Sequence, residues 1–334
     1  MELPVPNARA ATQREGPGLP AAAAELFGRR LLVQTGKGGV GKSSVTAALA
    51  LMARRRGKRV LVCEVNGGGR IPALLGVPAG GPRVVEALPG LFCVDVRPHE
   101  AMIEYGLMKL KSAALVNAVL ENRVMRYFLK ALPTLAEVVT MGKILFHVRE
   151  QAGGRPRFDL VLVDAPATGH CLALLRVPAT VLATVPEGPL RDDLRWMAAM
   201  LEDPAQTAVN IVSLPEELPI DETLELAAAL RAGEIPMGVC FLNAIWPSRF
   251  SAAELPLLPD DVFWRPVRET VRRMEARADL CAVERRRLVS GLDLPVVDLP
   301  HVCVERFGRE AVESLSRAAE QGLDATAALR EARP

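Results

Sequence analysis

Short, mostly apolar runs alternate with stretches of helical period along this chain. Residues 30–34, 59–65, 91–96, 159–164, 209–214, 238–243 and 295–299 are such runs, rich in Val, Leu and Ile and without a polar residue at every second position. A strand reads this way when both of its faces are buried, which is the condition of a parallel sheet covered by helices. Between the runs, Val45, Leu49 and Met52 mark one helix, residues 190–201 a second ended by Asp203-Pro204, and residues 222–231 a third ended by Gly233. The expected fold is therefore α/β: a doubly wound, mostly parallel sheet with helices on both faces. Residues 101–151 break the rhythm. They are helical in pattern throughout, first through Ile103, Leu107, Leu110 and Ala114, then through Leu120, Val124, Tyr127 and Phe128. After Pro133, Thr134 and Glu137 have the spacing of a capping box that opens another helix through Met141, Ile144 and Leu145. This is longer than a crossover between parallel strands requires, so it reads as a helical insertion. Residues 1–27, rich in Pro, Ala and Gly, read as a flexible leader with a short helix near its end, and residues 28–330 as one domain.

The first apolar run leads into the one stretch whose chemistry is legible from spacing. Residues 36–43 read Gly-Lys-Gly-Gly-Val-Gly-Lys-Ser, the G-x-x-x-x-G-K-S pattern of a phosphate-binding loop, with a strand before it and a helix after it. Gly36, Gly38, Gly39 and Gly41, with Val40 between them, curve the backbone so that successive N–H groups point inward, and the helix directs its positive end at the same point. Lys42 then meets the β- and γ-phosphates, the Ser43 hydroxyl is a ligand for Mg²⁺, and Ser44 follows in the same turn. This places the chain among P-loop nucleoside triphosphatases, with ATP and Mg²⁺ as expected cofactors. Lys37 goes beyond the generic motif, since phosphate can be held within one subunit without a cation there.

Composition narrows the class. At 334 residues, 50% of them hydrophobic and 4% aromatic, the chain can bury a large aliphatic core. A formal charge of +2 leaves no global basic footprint for nucleic acid. No apolar run approaches the roughly 18 residues of a membrane span, and the first residues lack a signal-peptide pattern, so the expectation is a cytoplasmic protein. The six cysteines are dispersed with no C-x-x-C pair, and the four histidines are equally scattered, which argues against structural zinc.

A second site element is Asp164, the last residue of the run 159–164. A carboxylate at the carboxyl end of a strand beside the phosphate loop can hold a Mg²⁺-bound water. Thr168 and Gly169 follow where a backbone N–H can reach a γ-phosphate, and such a segment changes shape when that phosphate leaves.

The loop GKGGVGKS together with Asp164-Ala165-Pro166-Ala167-Thr168-Gly169-His170 resembles the ArsA-type ATPases, the family of arsenite-pump ATPases and of guided-entry ATPases that target tail-anchored membrane proteins. The family signature is D-T-A-P-T-G-H, from which Ala165 and Ala167 depart. Residues 215–223 and 295–300 are similar to further family stretches, and Asn243 resembles the asparagine that recognises adenine, so the likeness spans roughly residues 28–315. It implies a dimeric ATPase, a homodimer or a heterodimer with a related ATPase, in which Lys37 reaches across the interface to the partner's nucleotide. It also implies that residues 164–169 form the second switch and that the insertion 101–151 stands where targeting members hold a hydrophobic client.

Two departures shape the functional expectation. Asn66, in Asn66-Gly67-Gly68-Gly69, stands where the family's first switch has its catalytic aspartate; an amide orients a water but cannot accept its proton. Charge stabilisation dominates phosphoryl transfer, so slow hydrolysis is expected, with Lys37, Lys42, Asn66 and Asp164 as the catalytic set and Glu64 as a possible substitute. No cysteine cluster supports arsenite handling; Cys171 beside His170 reads as an inert helix residue. Met102, Met108, Met125 and Met141 fit either an adaptable groove or ordinary core. Three readings remain open: a Mg²⁺-dependent ATPase whose nucleotide state controls a protein or membrane-delivery partner, a hydrolysis-poor scaffold subunit of a heteromer, and a spatial-organisation ATPase resembling MinD and ParA. The last needs a membrane-binding tail or a basic patch, and residues 305–330 are alternately charged with few large apolar side chains.

Overall fold

The computed structural model describes residues 21–110, 133–250, 254–257, 259 and 261–331. Every apolar run named above is a strand: β1 (Leu31–Thr35), β2 (Val60–Val65), β4 (Leu91–Val96), β7 (Leu160–Asp164), β8 (Thr207–Ser213), β9 (Met237–Ile245) and β10 (Val296–Pro300). With the short edge strand β3 (Val85–Leu88) they form one sheet in the order β10-β9-β8-β1-β7-β2-β4-β3. All neighbours are parallel except β3, which runs antiparallel to β4. Val85, Glu86, Ala87 and Leu88 are all at least partly exposed, so β3 lacks the continuous apolar signature of a buried strand. The two-residue strands β5 (Gln151–Ala152) and β6 (Arg155–Pro156) make a separate exposed hairpin.

Two helical layers cover the sheet, and the alternating side chains of each strand are divided between them. On one face lie α1 (Ala21–Gly28), α2 (Lys42–Arg55), α3 (Arg70–Leu74) and, at the far end of the chain, α10 (Arg309–Glu331). Their buried side chains pack with Leu32, Val62, Leu162 and Val212. The other face carries α5 (Pro133–Arg149), α6 (Thr168–Leu182), α7 (Pro189–Glu202), α8 (Glu217–Ala232) and α9 (Arg265–Gly291), packed on Val33, Val163, Val209 and Ile211. The remaining helix, α4 (Pro98–Leu110), packs against α5.

One boundary needs adjustment, and other segments gain detail. The packed unit begins before residue 28, because Leu26 and Phe27 of α1 are buried beside α2 and α10. Alanine-rich α10 carries a narrow stripe, Val312, Leu315, Ala319 and Leu323, fully engaged in that core. The insertion is described only as α4 and α5; residues 111–132, including Met125, lie outside the described residues. Met141 is core and Met102 half-buried. The 27-residue α9 had no single pattern to announce it, since only Val271, Ala278, Cys281 and Leu288 are buried along it.

Candidate nucleotide site

The site forms where the parallel strands end, around the turn from β1 into α2. Gly36 has φ of 145°, and a Cβ there would lie 2.1 Å from the Val212 carbonyl oxygen, so only glycine fits against β8. Gly39 and Gly41 also have positive φ, 87° and 93°. These values belong to the left-handed region, which a side chain disfavours, and they give the loop its inward curve. Lys42 Nζ donates back to the carbonyl oxygens of Lys37 at 2.9 Å and Gly36 at 3.1 Å, so the ammonium is already folded over the loop. Burial pushes the pKa of Lys42 down, while Asp164 opposes that shift.

Asp164 lies beside the start of α2. Ser43 Oγ donates to its Oδ2 at 2.6 Å, and the Thr46 hydroxyl lies 3.5 Å from its Oδ1. Parallel pairing fixes this meeting, because β1 and β7 are in register at Gln34 and Asp164. Burial raises the Asp164 pKa; the Ser43 hydrogen bond and the Lys42 charge hold it down. A hydroxyl and a carboxylate converging at this distance are hard oxygen donors, the set that suits Mg²⁺. When bound, the ion would neutralise charge on the β- and γ-oxygens.

After β2 the chain turns through Asn66, which adopts φ of 52°, a conformation that asparagine tolerates better than most residues. Gly68 and Gly69 continue with φ of 68° and 83° and lead into α3. Glu64 does not enter the site. Its Oε1 accepts the Ile71 N–H at 2.9 Å, and its side chain lies so close under Gly67 that a Cβ there would sit 2.6 Å from the Glu64 Cβ. Glu64 thus ties α3 to the sheet.

A cavity of about 1200 Å³ joins these parts. It is lined by Gly38, Gly39, Gly41, Lys42, Ser43 and Ser44 of the loop, by Asn66 and Arg70, and by Asp164 and His170. The volume exceeds the roughly 300–1,000 Å³ of an ordinary ligand pocket, and Ala136, Glu137 and Thr140 of α5 also line the cavity. Arg306, Phe307 and Gly308 before α10 and Arg309 at its start line it as well, a contribution that no motif marked in the sequence.

Four expected residues are placed differently. Lys37 is outside the cavity lining, and its ammonium pairs with Glu222 of α8 at 2.6 Å. Asn243 also stands behind the lining: its Nδ2 donates to the Val40 carbonyl at 2.9 Å and fills the space next to Gly41. Thr168 and Gly169 are the first residues of α6 rather than a loop, and the cavity is lined by Ala165, Pro166 and Ala167 before them. They still belong to a helix start, where first-turn N–H groups have no partner inside the helix.

The comparisons with known proteins agree with this geometry. The profile of the ArsA ATPase family, described as anion-transporting ATPase, matches residues 29–187. ATPase BagA of Mycobacterium tuberculosis (strain ATCC 25618 / H37Rv) is 30% identical over 288 residues, 84% of this chain and 79% of that protein. The chain belongs to the ArsA-type ATPase family. It is an ATP-binding ATPase by that membership, and the matched span covers the phosphate loop, the Asn66 loop and Asp164. Among other ArsA-type relatives, ATPase ARSA1 of Chlamydomonas reinhardtii is 27% identical over 316 residues, 74% of this chain and 40% of its own length. The arsenical pump-driving ATPase of Escherichia coli is 26% identical over 235 residues, 65% of this chain and 40% of its own length. Among the described residues no helix is long and apolar enough to cross a membrane, and no three His, Cys, Asp or Glu side chains cluster to hold a metal.

Proposed function

We propose that this protein is a cytoplasmic, Mg²⁺-dependent ATPase whose nucleotide state moves its helical insertion and thereby controls a protein or membrane-delivery partner. The observation that carries the reading is the continuity of the cavity: the phosphate loop and the α5 residues Ala136, Glu137 and Thr140 line the same space. Loss of a γ-phosphate beside Asn66 and Ala167 therefore changes the wall on which α5 rests. In this reading the N–H groups of residues 36–43 and Lys42 bind the phosphates, and Ser43 and Asp164 hold Mg²⁺. Thr168 and Gly169 sense the γ-phosphate, and Asn243 turns from Val40 towards the base. Residues 28–330 act as one ATPase domain, entered through α1.

Dimerisation belongs to the same proposal. Lys37 would leave Glu222 for a nucleotide in the partner subunit, an exchange of one exposed ion pair for a stronger pairing with phosphate. Asn66 supports a second reading, a hydrolysis-poor scaffold subunit paired with a more active relative. Phosphate release by purified protein, measured alongside its mass in solution with ATP and with ADP, separates the two. Steady turnover with ATP-dependent dimerisation supports the first; neither turnover nor a mass change with ATP contradicts it.

A further inference from the structure

We propose that Arg70 is the cation, supplied within the same chain, that meets the γ-phosphoryl group as it is transferred, so that hydrolysis rests on charge stabilisation at the Asn66 loop rather than on a base there. This rests on the nucleotide-site reading above. Arg70 opens α3 directly after three glycines, and its side chain lines the cavity with Lys42, Ser43, Asn66 and Asp164. It is exposed and makes no ion pair with a described residue. Its charge is within electrostatic reach of both Lys42 and Asp164.

The neighbouring chemistry explains why it has no ion pair among the described residues. Glu64 has its carboxylate engaged by the Ile71 N–H, which fixes the start of α3 while leaving the guanidinium to the cavity. Lys42 is folded onto the loop carbonyls, and Lys37 is held by Glu222 outside the cavity. Arg306, before α10, and Arg309, at its start, also line the cavity, and Arg70 is the cation that the Asn66 loop itself carries into α3. Lys42 and Arg70 line one cavity in which Asp164 is the carboxylate beside the phosphate loop, and two cations there complement the greater negative charge of a polyphosphate.

In the reaction, the water oxygen bonds to the γ-phosphorus as the bond from that phosphorus to the β,γ-bridging oxygen breaks. The electron pair stays on the β-phosphate of ADP, and the water's proton goes to the phosphate product. Charge builds on the γ-oxygens and the bridging oxygen in a loose transition state, where an arginine contributes about 10³–10⁵ in rate in related chemistry. Asn66, a donor and acceptor without a proton-accepting base, orients the water.

The test compares binding of MgADP alone with MgADP plus aluminium fluoride, a stand-in for the group in flight, for the full chain and for Arg70→Ala and Arg70→Lys. The full chain should gain affinity from fluoroaluminate. Arg70→Ala should bind MgADP within about threefold of the full chain yet lose about 100-fold of that gain, with Arg70→Lys recovering part, and phosphate release should fall in parallel. An undiminished gain in Arg70→Ala, an equal loss for both ligands, or no gain in the full chain overturns the proposal while leaving nucleotide binding intact. Failure of the full chain to bind MgADP overturns the nucleotide-site reading itself, and this proposal with it.

Discussion

The two glycine-rich loops that line the cavity are built on different principles. The turn from β1 into α2 is wedged in place: Gly36 touches the β8 backbone, Gly41 is backed by Asn243, and Ser43 is bonded to Asp164. The turn from β2 into α3 has three successive glycines, of which Gly68 has open space around it, and Asn66 and Gly68 are exposed. It is anchored by the Asn66 N–H on the Val96 carbonyl, by the Gly67 N–H on Asp95 Oδ1 at 3.0 Å and by Glu64 on Ile71, which leaves Gly68 as its free point. A binding cradle must hold its shape before the ligand arrives, whereas a sensor must have low-cost alternatives. The same residue type, glycine, serves both needs: close contact at Gly36 in the first loop, freedom at Gly68 in the second.

The largest expected effect is on the cradle's charge. Lys42→Ala should weaken MgADP binding by about 10³-fold, close to 4 kcal/mol, because it removes the cation on the phosphates. Near-wild-type affinity in isothermal titration would remove the loop's assigned role.

Next come two glycine changes that oppose the loops directly. Gly36→Ala drives a Cβ into the Val212 carbonyl and should cost about 3 kcal/mol in denaturant unfolding, while Gly68→Ala meets no neighbour and should cost about 1 kcal/mol from its left-handed φ. Equal losses would erase the contrast between a fixed and a free loop.

Asn66→Asp is a smaller test of the free loop. It should raise phosphate release by about tenfold, roughly 1.4 kcal/mol in the barrier, since proton acceptance is the lesser part of phosphoryl transfer. A thousandfold rise in a turnover assay would mean that the missing base, not charge stabilisation, limits the reaction.

The smallest effect concerns the anchor. Burial raises the Glu64 pKa above 4.5, partly offset by the Ile71 N–H, with Asp164 and Asp95 adding to the rise. The folded state therefore holds this proton more tightly than the unfolded chain does. Its stabilising contribution is complete below pH about 4.5 and is lost as pH climbs through the raised folded value. Glu64→Gln cannot lose that proton, so its melting temperature relative to the parent should rise with pH above about 4.5. A difference independent of pH would show that Glu64 is not buried in this way.

What could be read from the sequence follows from how local each feature is. The β1-loop-α2 unit and Asp164 were legible because consecutive residues carry both the motif and the flanking apolar pattern. The seven long-range strands were legible for the same reason, as burial on both faces removes polar alternation. Edge strand β3 was not, because half of its surface faces solvent. The arginine and phenylalanine wall at residues 306–309 has no motif, and its position depends on the β9–β10 pairing and on Trp246 stacked on His301 at 4.3 Å. The Lys37 to Glu222 pair joins residues that no periodicity connects. Asn243 was found but not its orientation, which is set by contact with Gly41.

Calorimetric titration of MgATP and MgADP into the intact chain tests the central claim most directly. Saturable heat for both nucleotides, lost when Mg²⁺ is removed or Asp164 is changed to Ala for ATP above all, is the predicted result. The absence of any heat of association for either nucleotide would contradict it.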